Sequence, residues 1–149
     1  MRAIIQRVKR ASVSINGDLK AEIDKGLLVL LAVSPEDTDK DLKYMADKII
    51  GLRIFNDEED KMNLSLQDIG GEIMVISQFT LYGDVRKGKR PSFIASAKGD
   101  FAEEYYLKFL ELIREKGFDV KCGEFGADMQ VELINDGPVT IQIDSSKLY

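Results

Sequence analysis

The first fifteen residues constrain the fold most. From Ala3 to Ile15 apolar and polar residues mostly alternate (Ile5, Val8, Ala11, Val13, Ile15), and the run ends on Asn16-Gly17. A period of two marks a strand with one buried face, and Asn-Gly is the strongest short-range hairpin signal because both positions tolerate positive φ. An antiparallel pair is therefore expected, with a second strand near Leu19 to Ile23. The alternation also slips phase once, as an inserted bulge residue would make it do.

Gly26 opens the longest continuous apolar run, Leu27 to Val33. It is far below the ~20 residues that span a bilayer, so no membrane segment is expected, and its length and β-branched content favour a buried strand. Ser34-Pro35 stops it. Asp37 or Thr38 can cap a helix whose apolar face is Leu42, Met45, Ile49 and Leu52. Asn56 to Asp60 reads as an acidic, solvated loop. A second buried strand, Ile73 to Ser77, is expected to run on into Phe79 and Leu81. Asp100 resembles an N-cap, with Glu103 three residues on. The helix it opens would continue through Lys116, bury Phe101, Tyr105, Phe109 and Ile113, and end at Gly117. Two alternating strands, Met129 to Ile134 and Val139 to Ile143, close the chain around Asn135-Asp136-Gly137-Pro138.

The sum is about seven strands and two helices, many strands in hairpins rather than βαβ units. That pattern predicts one α+β domain over residues 1–149, with a curved, mostly antiparallel, barrel-like sheet and two packed helices. No repeat or linker divides it.

Composition narrows the chemistry. The chain has no histidine, which removes Ser-His-Asp and Cys-His units and His-rich zinc sites. Metal-ligand spacing is missing, and Gly70-Gly71 lacks the later glycines and lysine of a phosphate loop, so neither a metal nor a cofactor is expected. The single cysteine, Cys122, suits a reducing, cytoplasmic setting and reads as a buried, inert thiol. The opening MRAIIQRVKR is broken by Arg7, Lys9 and Arg10 and does not read as a signal peptide. Carboxylate pairs such as Asp57 with Asp60, or Glu103 with Glu104, have no apolar setting to tune them. A net charge of 21 − 26 = −5 argues mildly against non-specific nucleic-acid binding.

Three segments stand out. SQFTLYGD (Ser77 to Asp84) can present hydroxyls and free backbone N–H groups at a strand end; on pattern alone a strand running into an ordinary turn is the favoured reading. NDGPVT (Asn135 to Thr140) reads as a hairpin turn, yet Pro138 cannot donate an N–H and restricts Gly137. RKGKRPSF (Arg86 to Phe93) gathers four basic residues around Gly88, either a solvated loop or a local patch for phosphates.

Together with QRVKRASV (Gln6 to Val13), these segments resemble the D-aminoacyl-tRNA deacylase family. The resemblance spans the whole chain, and SQFTL and NDGPVT in this order and separation are specific to it. It implies hydrolysis of the ester joining a D-amino acid to the 3′-terminal ribose of tRNA, and of glycine misattached to alanine tRNA, as translational proofreading. It also implies a homodimer in which Gly137-Pro138, in a cis peptide, reaches into the partner's pocket. There its carbonyls would hold the substrate amino group and exclude an L side chain. By the same resemblance Ser77, Gln78, Phe79 and Thr80 form the catalytic segment, Phe93 lines or caps the pocket for the terminal adenosine, and Arg7 braces the Gly-Pro segment.

Without histidine, two mechanisms stay open. N–H groups around Phe79 and Thr80 could polarise the ester carbonyl while the neighbouring ribose 2′-hydroxyl helps activate water. Alternatively Thr80 Oγ could be a nucleophile, which needs a base that the sequence does not evidently supply. Two other classes compete: a non-catalytic RNA-binding module, and a broad esterase or peptidase acting on substrates without tRNA.

Overall fold

The computed structural model describes residues 1–149. Strand β1 (Arg2–Ile15) turns at Asn16-Gly17, both at positive φ (52° and 82°), into β2 (Asp18–Ile23), which leads directly into β3 (Gly26–Ala32). β2 and β3 lie end to end along one edge of β1, both antiparallel to it. Helix α1 (Asp39–Ile50) follows, with Thr38 as N-cap; the Asp41 carboxylate accepts the Thr38 N–H at 2.8 Å. A small hairpin, β4 (Phe55–Asn56) with β5 (Met62–Leu64), holds the acidic loop. β6 (Glu72–Ser77) then lies parallel to β3. Helix α2 (Gly99–Glu115) carries the chain to β7 (Val120–Cys122), parallel to β6, and β8 (Gln130–Asp144) returns along the other edge of β1.

The sheet runs β2-β1-β3-β6-β7 with β8 added on β1, and it curves until β2 approaches β6 and β7, so that it nearly closes. Most pairings are antiparallel, but the sheet is mixed. The β3–β6 and β6–β7 connections are helical crossovers, where hairpins dominate the sequence reading. The apolar runs of β3 and β6 reflect burial on both faces. Leu27, Val29, Leu31, Ile73 and Val75 meet the helices, through Met45, Ile49, Phe109 and Ile113 among others. Leu28, Met74 and Ile76 point into a second core inside the curved sheet, with Val8, Val13 and Ile23.

Three local expectations need correction. β6 stops at Ser77, and Phe79–Tyr82 forms a 3-10 turn instead of more strand. Its partner β3 ends at Ala32, just before Ser34-Pro35, so the backbone there has no ladder to continue. Helix α2 is capped at Lys98, not Asp100, and buries Ala102, Tyr106, Phe109, Leu110 and Ile113. Phe101 and Tyr105 stack on each other toward the outside, with ring centroids 4.5 Å apart. The two candidate faces share Phe109 and Ile113 and differ by one residue, which a 3.6-residue period hardly resolves. Gly117, at φ 92°, does follow the helix end as expected.

The third correction concerns the end of the chain. Met129 to Ile134 and Val139 to Ile143 are not a hairpin: both halves belong to β8 and pair in the same sense with β1. Between the pairs Gln6–Thr140 and Val8–Asn135, one residue of β1, Arg7, faces four of β8, residues 136–139. The Asn135 side chain spans this bulge. Its Oδ1 accepts the Val139 N–H at 2.7 Å, and its Nδ2 donates to the Val139 carbonyl at 3.0 Å. An amide side chain thus satisfies the Val139 N–H and carbonyl, which the bulge takes off the ladder.

Candidate active site

The end of β6 opens into a cavity of about 550 Å³ between the sheet and the start of α2. Ser77, Gln78 and Phe79 form one wall, and Phe93 closes over them, its ring edge-to-face with Phe79 at 5.1 Å. The opposite wall is apolar: Ala102, Tyr106, Phe125, Met129 and Val131. Tyr106 is buried and donates its hydroxyl to the Val75 carbonyl at 2.8 Å; burial pushes its pKa well above the ordinary phenol range, so it stays a neutral donor. Charged residues in the lining are Lys98, just before the uncapped first turn of α2, and Asp128, with Asp100 in that same turn.

Local geometry follows from where the strand ends. The Gln78 N–H makes a last bond to the Leu31 carbonyl at 2.7 Å. The chain then coils, with Leu81 N–H bonded to the Gln78 carbonyl and Gly83 N–H to that of Thr80. A 3-10 turn leaves its leading amides without an internal acceptor, here those of Phe79 and Thr80. The Thr80 Oγ1 accepts a hydrogen bond from the Gln78 carboxamide, a group with no useful basicity.

Gly137 and Pro138 lie elsewhere. Both are exposed, joined by a cis peptide, at the crest of the β8 bulge. Arg7, only 7 % exposed, lies beneath them: its Nε donates to the Asp136 carbonyl at 2.8 Å, and its Nη1 to the Ile54 carbonyl at 2.7 Å and to Asn56 Oδ1 at 3.0 Å. A Cβ at Gly137 would fall 2.8 Å from Val139 Cγ2 and 2.9 Å from Arg7 Nη2, at a φ of +139° that L side chains rarely adopt.

Within one chain the two motifs do not meet. Arg7 pairs with Leu27, whereas Ser77 pairs with Leu31, four residues further along β3. That is roughly 13 Å along the strands, plus three inter-strand spacings of ~4.8 Å across the sheet.

The structure thus brings Ser77, Gln78, Phe79 and Phe93 to one cavity, puts Thr80 on the adjoining turn, and groups Gly137, Pro138 and Arg7 at a second location. The apolar wall was missed from sequence. Tyr106 falls on the shifted helix face, and Phe125 to Met129 is a loop without periodicity. Asp57 is a hairpin residue, its carboxylate accepting the Glu59 and Lys61 amides. Cys122 is half-buried on β7.

Known proteins are similar to this chain over nearly its whole length. The D-Tyr-tRNA(Tyr) deacylase family model matches residues 4–144. D-aminoacyl-tRNA deacylases of Clostridium beijerinckii and Thermosipho africanus are 57 % and 55 % identical over 149 residues, all of this chain and all of each relative. A solved structure described as a c-Myc DNA unwinding element binding protein superposes with a TM-score of 0.91 at 44 % identity, covering 97 % of this chain and 98 % of that one. A probable eukaryotic D-amino acid tRNA deacylase shares the fold at a TM-score of 0.80 and 19 % identity, over 95 % and 97 % of the two chains. The match from Ile4 to Asp144 contains both motifs, and the chain belongs to the D-Tyr-tRNA(Tyr) deacylase family.

Proposed function

We propose that the chain hydrolyses the ester of D-aminoacyl-tRNA, and of glycine misattached to alanine tRNA, to free amino acid and tRNA, as proofreading in translation. The observation that carries this reading is the strand-end cavity, bounded by Ser77-Gln78-Phe79 and followed by a turn with two unengaged amides. The terminal adenosine takes the apolar cavity, with Phe93 against it, while the ester carbonyl faces the Phe79 and Thr80 amides. Two such donors are substantial, since losing one oxyanion donor typically costs ~10²–10³ in rate. Lys98 and the basic loop after Asp84 favour the phosphates of the tRNA acceptor end.

The ribose 2′-hydroxyl completes the chemistry by helping to activate water. Thr80, bonded to a carboxamide, has no base to make it a nucleophile. No cofactor or metal takes part in this scheme. Selection rests on Gly137-Pro138. Because the motif is far from its own chain's cavity, the working unit is a homodimer in which each Gly-Pro crest enters the partner's pocket. There backbone carbonyls hold the substrate amino group and leave no room for an L side chain. Arg7 braces the crest from below. The setting is the cytoplasm, where aminoacyl-tRNA is used; no helix is long and apolar enough to cross a membrane.

Release of amino acid from D-tyrosyl-tRNA, L-tyrosyl-tRNA and a simple tyrosyl ester tests the reading. Selective release from the D-tRNA is expected. Release from neither tRNA makes the protein a binding module, and cleavage of the simple ester makes it a general esterase. Thr80→Ala turns over at a near-normal rate if the amides act and is dead if Oγ attacks. Substrate ending in 2′-deoxyadenosine is cleaved slowly if the RNA hydroxyl takes part.

A further inference from the structure

Three distant stretches of chain meet behind the 3-10 turn. Arg2, the first residue of β1, pairs in register with Asp144, the last residue of β8. Its Nε donates to Asp144 Oδ2 at 2.8 Å, and its Nη1 reaches the Leu81 carbonyl at 3.3 Å. The guanidinium also stacks on Tyr82, 4.5 Å from the ring centroid. Tyr82 is the only buried residue of the turn, while Phe79 is 55 % exposed. Asp144 is itself held: it is 3 % exposed and accepts the Ser146 N–H at 2.8 Å as well as the Ser146 hydroxyl.

The turn therefore hangs between two anchors. Upstream is the backbone bond from Gln78 to Leu31; downstream is Arg2, which takes the Leu81 carbonyl and one face of Tyr82. Between them lie the amides of Phe79 and Thr80. An oxyanion donor works only when it lies 2.7–3.1 Å from the developing charge, so slack at either anchor displaces it. Arg2, Leu81, Tyr82 and Asp144 do not line the cavity, so none of them touches substrate there.

We propose that Arg2, locked by Asp144, is a positioning residue for the reaction: it fixes the pitch of the 3-10 turn and thereby the direction of the Phe79 and Thr80 amides. The proposal rests on the amide-polarised hydrolysis given above. It predicts a loss in the chemical step rather than in binding, because the cavity walls stay where they are.

The test is Arg2→Met, which keeps a stem against Tyr82 and removes every donor. With D-tyrosyl-tRNA, kcat falls roughly 10- to 50-fold, on the scale of a sub-ångström to 1 Å misplacement, while KM changes less than about threefold. Hydrogen exchange speeds up at the hydrogen-bonded Leu81 and Gly83 amides but not in β3 or β6, and Arg2→Lys recovers part of the rate. A full rate in Arg2→Met overturns the proposal, and so does a loss of protection across the whole sheet with kcat and KM changing together. Should Arg2→Met not fold, Asp144→Asn, which loosens Arg2 without removing it, carries the same readouts with a smaller loss. A wild-type protein that releases nothing from D-tyrosyl-tRNA overturns the hydrolysis reading and the catalytic role with it. The exchange arm then still separates a turn that Arg2 holds from one that it does not.

Discussion

The end of β6 and the crest of β8 are built in opposite ways. At β6 a strand stops because its neighbour stops, and the next residues coil over a cavity walled by the sheet, the start of α2 and the loop before β8. At β8 the strand continues, and four residues are pushed outward opposite one arginine. The first region is enclosed by its own chain. The second presents backbone to whatever lies beyond it, with its support entirely beneath. In the proposed scheme chemistry falls to the enclosed region and selection to the projecting one, so a single chain can hold both motifs without joining them.

Subunit mixing probes that division most severely. Gly137→Ala introduces a Cβ within 3 Å of Arg7 and Val139 at a φ hostile to L residues. We expect it to lose at least ~10²-fold in D-tyrosyl-tRNA cleavage, since misplacing a substrate-holding group by about 1 Å has that effect. Its melting temperature should also fall, because an L residue at this φ is strained and its Cβ presses on the buried Arg7, so activity is compared at a temperature where both proteins are folded. Ala127→Trp fills the cavity and should be equally inactive. Co-refolding the two should restore about a quarter of wild-type activity, since half the dimers are mixed and each has one intact site. No recovery would mean that each site uses its own chain's crest, which breaks the comparison.

How much of this was legible in the sequence depends on the range of the forces concerned. The β1–β2 hairpin was, because Asn16-Gly17 and the alternation before it are local. A phase slip within Ala3 to Ile15 was legible too, and the structure places it around Val8, where β1 changes register against β8 on both sides of that residue. What the slip could not reveal was its cause. The partner of Arg7 is a bulge 129 residues away, bridged by the Asn135 side chain, and Asn-Asp-Gly-Pro carries the same turn chemistry in a bulge as in a hairpin. The 3-10 turn was hidden similarly, since Phe79 and Leu81 prolong the apolar run of β6 at a strand-like spacing and only the end of β3 denies them a partner. Ser77, Gln78 and Phe79 emerged as a group because they are contiguous. The opposite wall, drawn from α2 and the loop before β8, is assembled by tertiary packing alone.

Arg7→Met should show how firmly the crest depends on its support. Three uncharged acceptors would lose their donor: the Asp136 and Ile54 carbonyls and Asn56 Oδ1. At ~1–3 kcal/mol per buried polar group left unsatisfied, partly relieved by water at the crest, a loss of about 3 kcal/mol is expected in urea unfolding. Selectivity should decline with it, read as a smaller ratio of D- to L-tyrosyl-tRNA cleavage. A stable variant with unchanged selectivity would mean that the crest supports itself.

On the enclosed side the corresponding change is smaller. Tyr106→Phe removes one hydroxyl and leaves the Val75 carbonyl without its donor. The expected cost is about 1–2 kcal/mol, from one orphaned backbone acceptor in an otherwise unchanged wall. KM for D-tyrosyl-tRNA should stay within about twofold, because the ring and its contact with Phe125 remain. A large rise in KM would show that the hydroxyl itself meets the ligand, and the wall would then be a recognition surface instead of a packing surface.

The smallest effect concerns the loop that follows the turn. Asp84 and Ser92 close it through a pair of backbone bonds, 2.8 and 2.9 Å, and the Asp84 carboxylate takes the Arg86 guanidinium through both oxygens. That hydrogen-bonded guanidinium holds the Asp84 carboxyl down at about 2. The sign is that of a depressed acid. Whatever order the pair gives the loop is present above the ordinary aspartate value of ~3.9 and is lost as the pH falls toward 2. An NMR titration of the Asp84 carboxyl carbon should find its midpoint near 2, and Arg86→Gln should return it toward the ordinary value. Because the pair is exposed, global stability should not follow it. The salt dependence of tRNA binding should, since Asp84→Asn frees one more cation for the acceptor-end phosphates and steepens the slope. A slope unchanged by Asp84→Asn would place the basic loop outside the tRNA contact and leave the cavity rim, with Lys98, as the electrostatic hold on the substrate.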